Sequence, residues 1–114
     1  MGLSFPNKFS TKSIPFMDNA INSHLLKHNI FSIFLAEDTS RTNSNIHFGN
    51  IDKLYMQSNF TFVNVVSDTY WEIDITDIMV GNEKTNICDE LRSNTGRCGV
   101  AIDSGTSLYA GPTE

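Results

Sequence analysis

Gly99-Val100-Ala101-Ile102-Asp103-Ser104-Gly105-Thr106-Ser107-Leu108-Tyr109-Ala110-Gly111-Pro112-Thr113 is an apolar run that ends abruptly in an acid, followed by hydroxyls and a glycine. That order has a chemical use. A strand end fixes a carboxylate in place, a glycine lets backbone N–H groups approach it, and hydroxyls at Ser104 and Thr106 can donate hydrogen bonds that hold its orientation. An Asp103 held in this way is equipped for proton transfer. Asp-Ser-Gly alone is ordinary turn chemistry, so the weight rests on what surrounds it.

Immediately upstream, Cys88 and Cys98 flank the polar segment Asp-Glu-Leu-Arg-Ser-Asn-Thr-Gly-Arg, whose flexibility and glycine let the ends meet. A local disulfide closing a loop over 89–97 is the preferred reading, with two unrelated thiols as the alternative. A metal site lacks its third and fourth ligands, because no other cysteine or nearby histidine supplies them.

Further out the chain has an all-β rhythm. Short segments rich in aromatic and β-branched residues, 31–35, 60–66, 70–75 and 78–80, are separated by polar turns. The stretch 37–45 reads as a loop and Gly81-Asn82 as a hairpin turn. Within 70–75, Trp71, Ile73 and Ile75 share one face, leaving Tyr70, Glu72 and Asp74 on the other. The spacing of Met17, Ile21 and Leu25 predicts a single helix over 13–28, capped by Ser13, with Pro15 in its first turn and Asn29 as its stop. His24 and His28 stand four apart on that helix, but Leu25 occupies the place where a zinc-protease pattern needs glutamate, so a solvated face is the reading taken.

Composition bounds the remaining possibilities. The 114 residues are 39% hydrophobic and 18% charged, which reads as a packed globular chain of one small domain's size. A formal charge of −5 with scattered Lys and Arg argues against nucleic acid or an anionic membrane as partner. No run approaches the roughly 20 apolar residues of a membrane-crossing helix, and the N-terminus does not read as a signal peptide. Asn59-Phe60-Thr61 fits an N-glycosylation sequon, although it falls in a segment read as strand and the chain is rich in asparagine.

The extended motif around Asp103 resembles the second active-site motif of the pepsin-like aspartic endopeptidases. The likeness continues upstream in the family's order: Gly-Leu-Ser-Phe-Pro at 2–6, Pro-Phe-Met-Asp-Asn-Ala-Ile at 15–21, Phe-Ser-Ile-Phe-Leu at 31–35, Ile-His-Phe-Gly-Asn-Ile-Asp at 46–52, Tyr70-Trp71-Glu72-Ile73, and a cysteine shortly before the acid. Asparagine richness and the Asp-Ser-Gly form of the motif resemble the plasmepsin-like branch. Asn50 and Ser58 depart from positions where glycine is usual, and the segment from Cys88 to Cys98 is longer than the small disulfide loop of pepsin.

The resemblance implies an all-β acid-protease fold that is incomplete here: 1–52 as the end of the N-terminal lobe with the inter-lobe strands, and 53–114 as the first part of the C-terminal lobe. It implies Asp103 as one of two catalytic aspartates sharing a proton and a water, with no metal or cofactor. Ser104 and Thr106 would support it, the first reaching across the lobe interface and the second bonding the outer carboxylate oxygen. Gly105 completes the turn, and Tyr70 would line the substrate cleft. Peptides would be the substrates, and the secretory pathway the setting, with an extracellular or an acidic vacuolar or lysosome-like destination. No first Asp-Thr-Gly motif and no flap hairpin occur, so this chain alone is expected to be inactive without the remainder of the two-lobed enzyme. A non-catalytic peptide- or partner-binding member is the alternative from another class. A dimeric retroviral-type protease fits less well, because its aspartate lies early in the chain, whereas only eleven residues follow Asp103.

Overall fold

The computed structural model describes residues 2–5, 14–38 and 43–111. It divides into two compact units, Met1–Thr61 and Phe62–Glu114.

In the first unit, helix α1 spans Phe16–Asn22 and is much shorter than the apolar spacing predicts. Pro15 precedes it as the N-cap, with its carbonyl accepting from Asn19 N, while the expected cap Ser13 lies outside the described residues. The helix stops because a complete Schellman motif closes it. His24 adopts φ 54°, its N–H donates to Ile21 O at 3.0 Å, and Leu25 N donates to Ala20 O at 3.1 Å. Leu25 therefore does not continue the buried stripe and is 76% exposed. His24 and His28 both fall beyond the helix, so they do not share a helix face.

Strands β1 (Phe31–Phe34) and β2 (Asn45–Phe48) form an antiparallel pair in which Phe31 faces Phe48 and Phe34 faces Asn45. The expected strand at 31–35 is thus present, and the segment taken as loop up to Asn45 ends where β2 begins. Phe16 of α1 packs on Phe48 with ring centroids 4.9 Å apart, and Phe34 stacks on Tyr55 at 4.4 Å. Tyr55 belongs to a 3-10 turn, Lys53–Tyr55, capped by Asp52 Oδ1 accepting from Leu54 N at 3.0 Å.

Gly49 follows β2 at φ 75° and donates its N–H to Ile30 O at 2.8 Å. A Cβ there would lie 3.2 Å from the Lys27 backbone nitrogen. Gly49→Ala is accordingly expected to destabilise the protein by about 1–2 kcal/mol through left-handed strain and crowding, measured as a lowered urea unfolding midpoint. Asn50 and Ser58, where the resemblance implies glycine, both keep negative φ, so neither residue strains its turn.

In the second unit, β3 (Glu72–Asp74) pairs antiparallel with β6 (Gly99–Ala101), and β4 (Met79–Val80) with β5 (Glu83–Lys84) across the expected turn at Gly81, φ 63°. The predicted strand at 60–66 reduces to a single bridge, Val65 to Ile73, plus Val66 N donating to Glu72 O at 2.8 Å. Between β5 and β6 runs a second helix, α2 (Ile87–Thr95), where a polar loop was expected. Asp89 and Glu90 sit in its first turn, which suits the helix dipole, and Gly96 closes it at φ 79° with its N–H on Arg92 O.

Few apolar side chains are enclosed. Among the described residues Ala20, Cys88 and Cys98 are the buried hydrophobic ones, while Leu54 is 90%, Phe62 84% and Leu108 81% exposed. The apolar content that composition reads as a packed core is instead spread over open faces. Among the described residues no helix is long and apolar enough to cross a membrane.

Candidate active site

β3 is the central strand of the arrangement that delivers Asp103. Its register with β6 is Glu72 to Ala101, Ile73 to Val100 and Asp74 to Gly99. The ladder extends by one bond at each end: Ile75 N donates to Cys98 O at 3.0 Å, and Ile102 N to Trp71 O at 2.9 Å. Asp103 follows directly, where pairing gives way to a turn.

There the carboxylate is gripped by its own chain. Gly105 N donates to Oδ1 at 2.8 Å and the Thr106 hydroxyl to Oδ2 at 2.7 Å. A Cβ on Gly105 would stand 3.1 Å from Oδ1, so the glycine is what permits this approach. The Thr106 hydroxyl first, and the Gly105 N–H second, hold the Asp103 carboxyl below the ordinary value of 3.8, against a smaller opposing effect of desolvation. Ser104 is exposed in the same turn.

The linkage sign follows from that direction. A carboxyl with a depressed folded pKa contributes stability that is present above its unfolded pKa and is lost as pH falls through the folded one. Thr106→Val is therefore expected to raise the Asp103 pKa toward 3.8 and to remove this contribution at neutral pH, with no difference once both forms are protonated in strong acid. Carbon-13 titration of the Asp103 carboxyl in both proteins measures it, and an unmoved titration would exclude Thr106 as the cause.

The ladder ends with the bond from Ile102 N to Trp71 O, so Tyr70 and Asp103 are the next residues along the same register, two steps beyond Glu72 and Ala101, and no pairing joins them. Tyr70 is not in the strand as expected. It ends a bend in which Ser67 Oγ accepts from Thr69 N and Tyr70 N, each at 3.2 Å, and its side chain is 64% exposed.

The ladder behind the acid is held by charges to which the sequence assigns no partners. Arg92 of α2 donates to Asp74 Oδ2 at 3.2 Å and Oδ1 at 3.0 Å and also reaches Ile75 O, and Cys98 N donates to Asp74 Oδ1 at 2.9 Å. The Cys98 N–H, then Arg92, hold the Asp74 pKa low. Arg97 lies 3.4 Å from Glu72 and donates to Val66 O at 3.1 Å, leaving the Glu72 side chain 18% exposed. Asp77 clamps the β4–β5 hairpin by accepting from Ile78 N, Asn86 N and the Thr85 hydroxyl at 2.9, 2.9 and 3.1 Å. Cys88 and Cys98 form a disulfide with Cα atoms 5.3 Å apart, tying the first turn of α2 to the residue before β6.

No group of three His, Cys, Asp or Glu side chains that could hold a metal occurs among the described residues. A separate cavity of about 210 Å³ in the first unit, lined by Ser32, Phe34, His47, Asp52 and Tyr55 among others, contains none of the expected site residues.

Short antiparallel ladders, two small helices and a strand-end carboxylate chelated by its own turn fit part of the pepsin-like all-β fold. The chain belongs to the eukaryotic aspartyl protease family, whose model matches residues 1–114. It is 34% identical to cathepsin D of Gallus gallus over 115 residues, 100% of this chain and 27% of that protein. It is also 34% identical to pepsin A of Rhinolophus ferrumequinum over 113 residues, 99% of this chain and 27% of that one. Procardosin-B of Cynara cardunculus is 30% identical over 114 residues, covering 99% and 21%. The chain thus spans about a quarter of the length of the curated relatives it matches.

Proposed function

We propose that this chain supplies the second catalytic aspartate, Asp103, of a two-lobed aspartic endopeptidase, with 1–52 ending the first lobe and 53–114 beginning the second. The observation that carries the reading is the clamp on Asp103, in which both carboxylate oxygens are engaged by donors two and three residues on. Donors of this kind favour the ionised form and fix its orientation, as a water-activating base requires.

A second carboxylate elsewhere in the polypeptide completes the chemistry. Two such groups close together hold one proton between them, because like charges disfavour joint ionisation. The ionised member takes a proton from the bound water as its oxygen attacks the scissile carbonyl carbon. The protonated member gives its proton to the carbonyl oxygen, forming a neutral tetrahedral diol. Collapse of the diol breaks the C–N bond as the member that took the water's proton gives it to the leaving amine and the ionised member takes a proton from a diol hydroxyl, which restores the shared-proton pair. In this scheme Ser104 reaches toward the opposite lobe, Gly105 and Thr106 orient Asp103, and Tyr70, across the register from it, contacts the peptide.

The wide exposure of apolar side chains such as Leu54, Phe62 and Leu108 supports faces that further polypeptide covers. Peptide segments are the substrates, and the disulfide favours the secretory pathway as the setting. The purified 114-residue chain is expected to show no acid peptide hydrolysis, while the complete gene product does. Cleavage by the mass-verified short chain, inhibited by a diol-mimicking peptide, would overturn the two-lobe assignment.

A further inference from the structure

We propose that Asn59 is an N-glycosylation site, an inference resting on the secretory-pathway setting above and independent of the catalytic reading. Asn59-Phe60-Thr61 is the sole Asn-X-Ser/Thr sequence in the chain. Read as sequence it falls in a strand, where pairing would hide it. The structure removes that objection. Between the 3-10 turn Lys53–Tyr55 and the bridge at Val65 no strand forms, and Asn59, Phe60 and Thr61 are all exposed. No hydrogen bond to another described residue engages the side chain of Asn59 or Thr61. The sequon closes the first compact unit in sequence, and none of its three residues takes part in a ladder.

A second observation points to the compartment in which the modification occurs. The Cys88–Cys98 disulfide forms in an oxidising lumen, and that is where oligosaccharide transfer takes place. The donor is a polyprenyl-pyrophosphate-linked oligosaccharide. Asn59 Nδ2 bonds to the anomeric carbon of the first sugar as the bond from that carbon to the pyrophosphate oxygen breaks. The polyprenyl pyrophosphate leaves with the electron pair, and the amide gives up one proton. The Thr61 hydroxyl is the feature that the transferase reads two residues on.

The test uses the native gene product, digested with trypsin to release the peptide 54–84. Enzymatic deglycosylation in heavy-oxygen water is expected to convert Asn59 to a labelled aspartate. In the expressed complete protein, Asn59→Gln and Thr61→Ala each remove the glycan mass, while Thr61→Ser keeps it. An unlabelled Asn59 in molecules whose Cys88–Cys98 bond is formed overturns the proposal, and so do free thiols at both cysteines of the native protein. Peptide hydrolysis is not a readout, so failure here is separable from failure of the protease reading.

Discussion

Asp103→Asn in the complete protein is expected to lower the turnover of peptide substrates by about a thousandfold or more, in the range that loss of a positioned acid–base group produces. The change is nearly isosteric. The substituted side chain would still accept from Gly105 N through its carbonyl oxygen, and the Thr106 hydroxyl would turn from donating to a carboxylate oxygen to accepting from the new amide. The turn therefore survives, and the unfolding midpoint near neutral pH falls only by the contribution that the ionised carboxylate makes through these two bonds. What disappears is the ionisable group, and with it the shared proton on which the proposed mechanism depends. The loss should fall on kcat far more than on KM, because the role proposed for Asp103 is in the chemical step and not in holding the peptide. A variant that keeps near-normal turnover removes Asp103 from the mechanism.

The second large effect is on stability. Replacing both Cys88 and Cys98 by alanine is expected to cost about 2–3 kcal/mol, the loop-closure contribution of a short disulfide, whose sequence separation here is 10. The consequence is local as well as global. Cys98 N donates to Asp74 and Cys98 O accepts from Ile75 N, so the bridge pins the start of β6 at the end of the ladder opposite Asp103. Both cysteines are enclosed, with Cys88 at 0% and Cys98 at 2% exposure. A lowered urea midpoint in the double variant, matched by reduction of the wild-type protein, checks it. If the variant and the wild type unfold together, the bridge contributes nothing to holding the ladder.

The acid turn was legible because its parts are adjacent in sequence. Apolar strand, Asp103, Gly105 and Thr106 lie within a few residues, so local chemistry states the hydrogen bonds the structure forms. The disulfide and the β4–β5 hairpin were legible for the same reason. The charged scaffold was not. Asp74 and Arg92 are 18 residues apart, and nothing local distinguishes them from any two solvated charges.

Helix α2 was misread because its apolar face is short, with Ile87, Cys88 and Leu91 the only apolar residues in an otherwise polar segment. Its signals were those of start and stop: acids at 89 and 90, Arg92 later, and Gly96 at the end. Helix α1 was overextended for the opposite reason. The periodic Leu25 outweighed the weak helix formers Asn22 and Ser23, and a left-handed histidine gives no warning in sequence. The strand expected at 60–66 is reduced to one bridge, since β propensity reflects a partner surface and the chain offers little of one there.

The central claim is that Asp103 works within a longer, two-lobed chain. The most direct measurement is the intact mass of the native gene product, captured with an antibody raised against residues 1–114. A species about four times the 12.8 kDa of this chain is expected, in keeping with its coverage of 27% of the relatives' length. A product of 12.8 kDa alone would leave Asp103 without a second carboxylate in its own chain and would contradict the account.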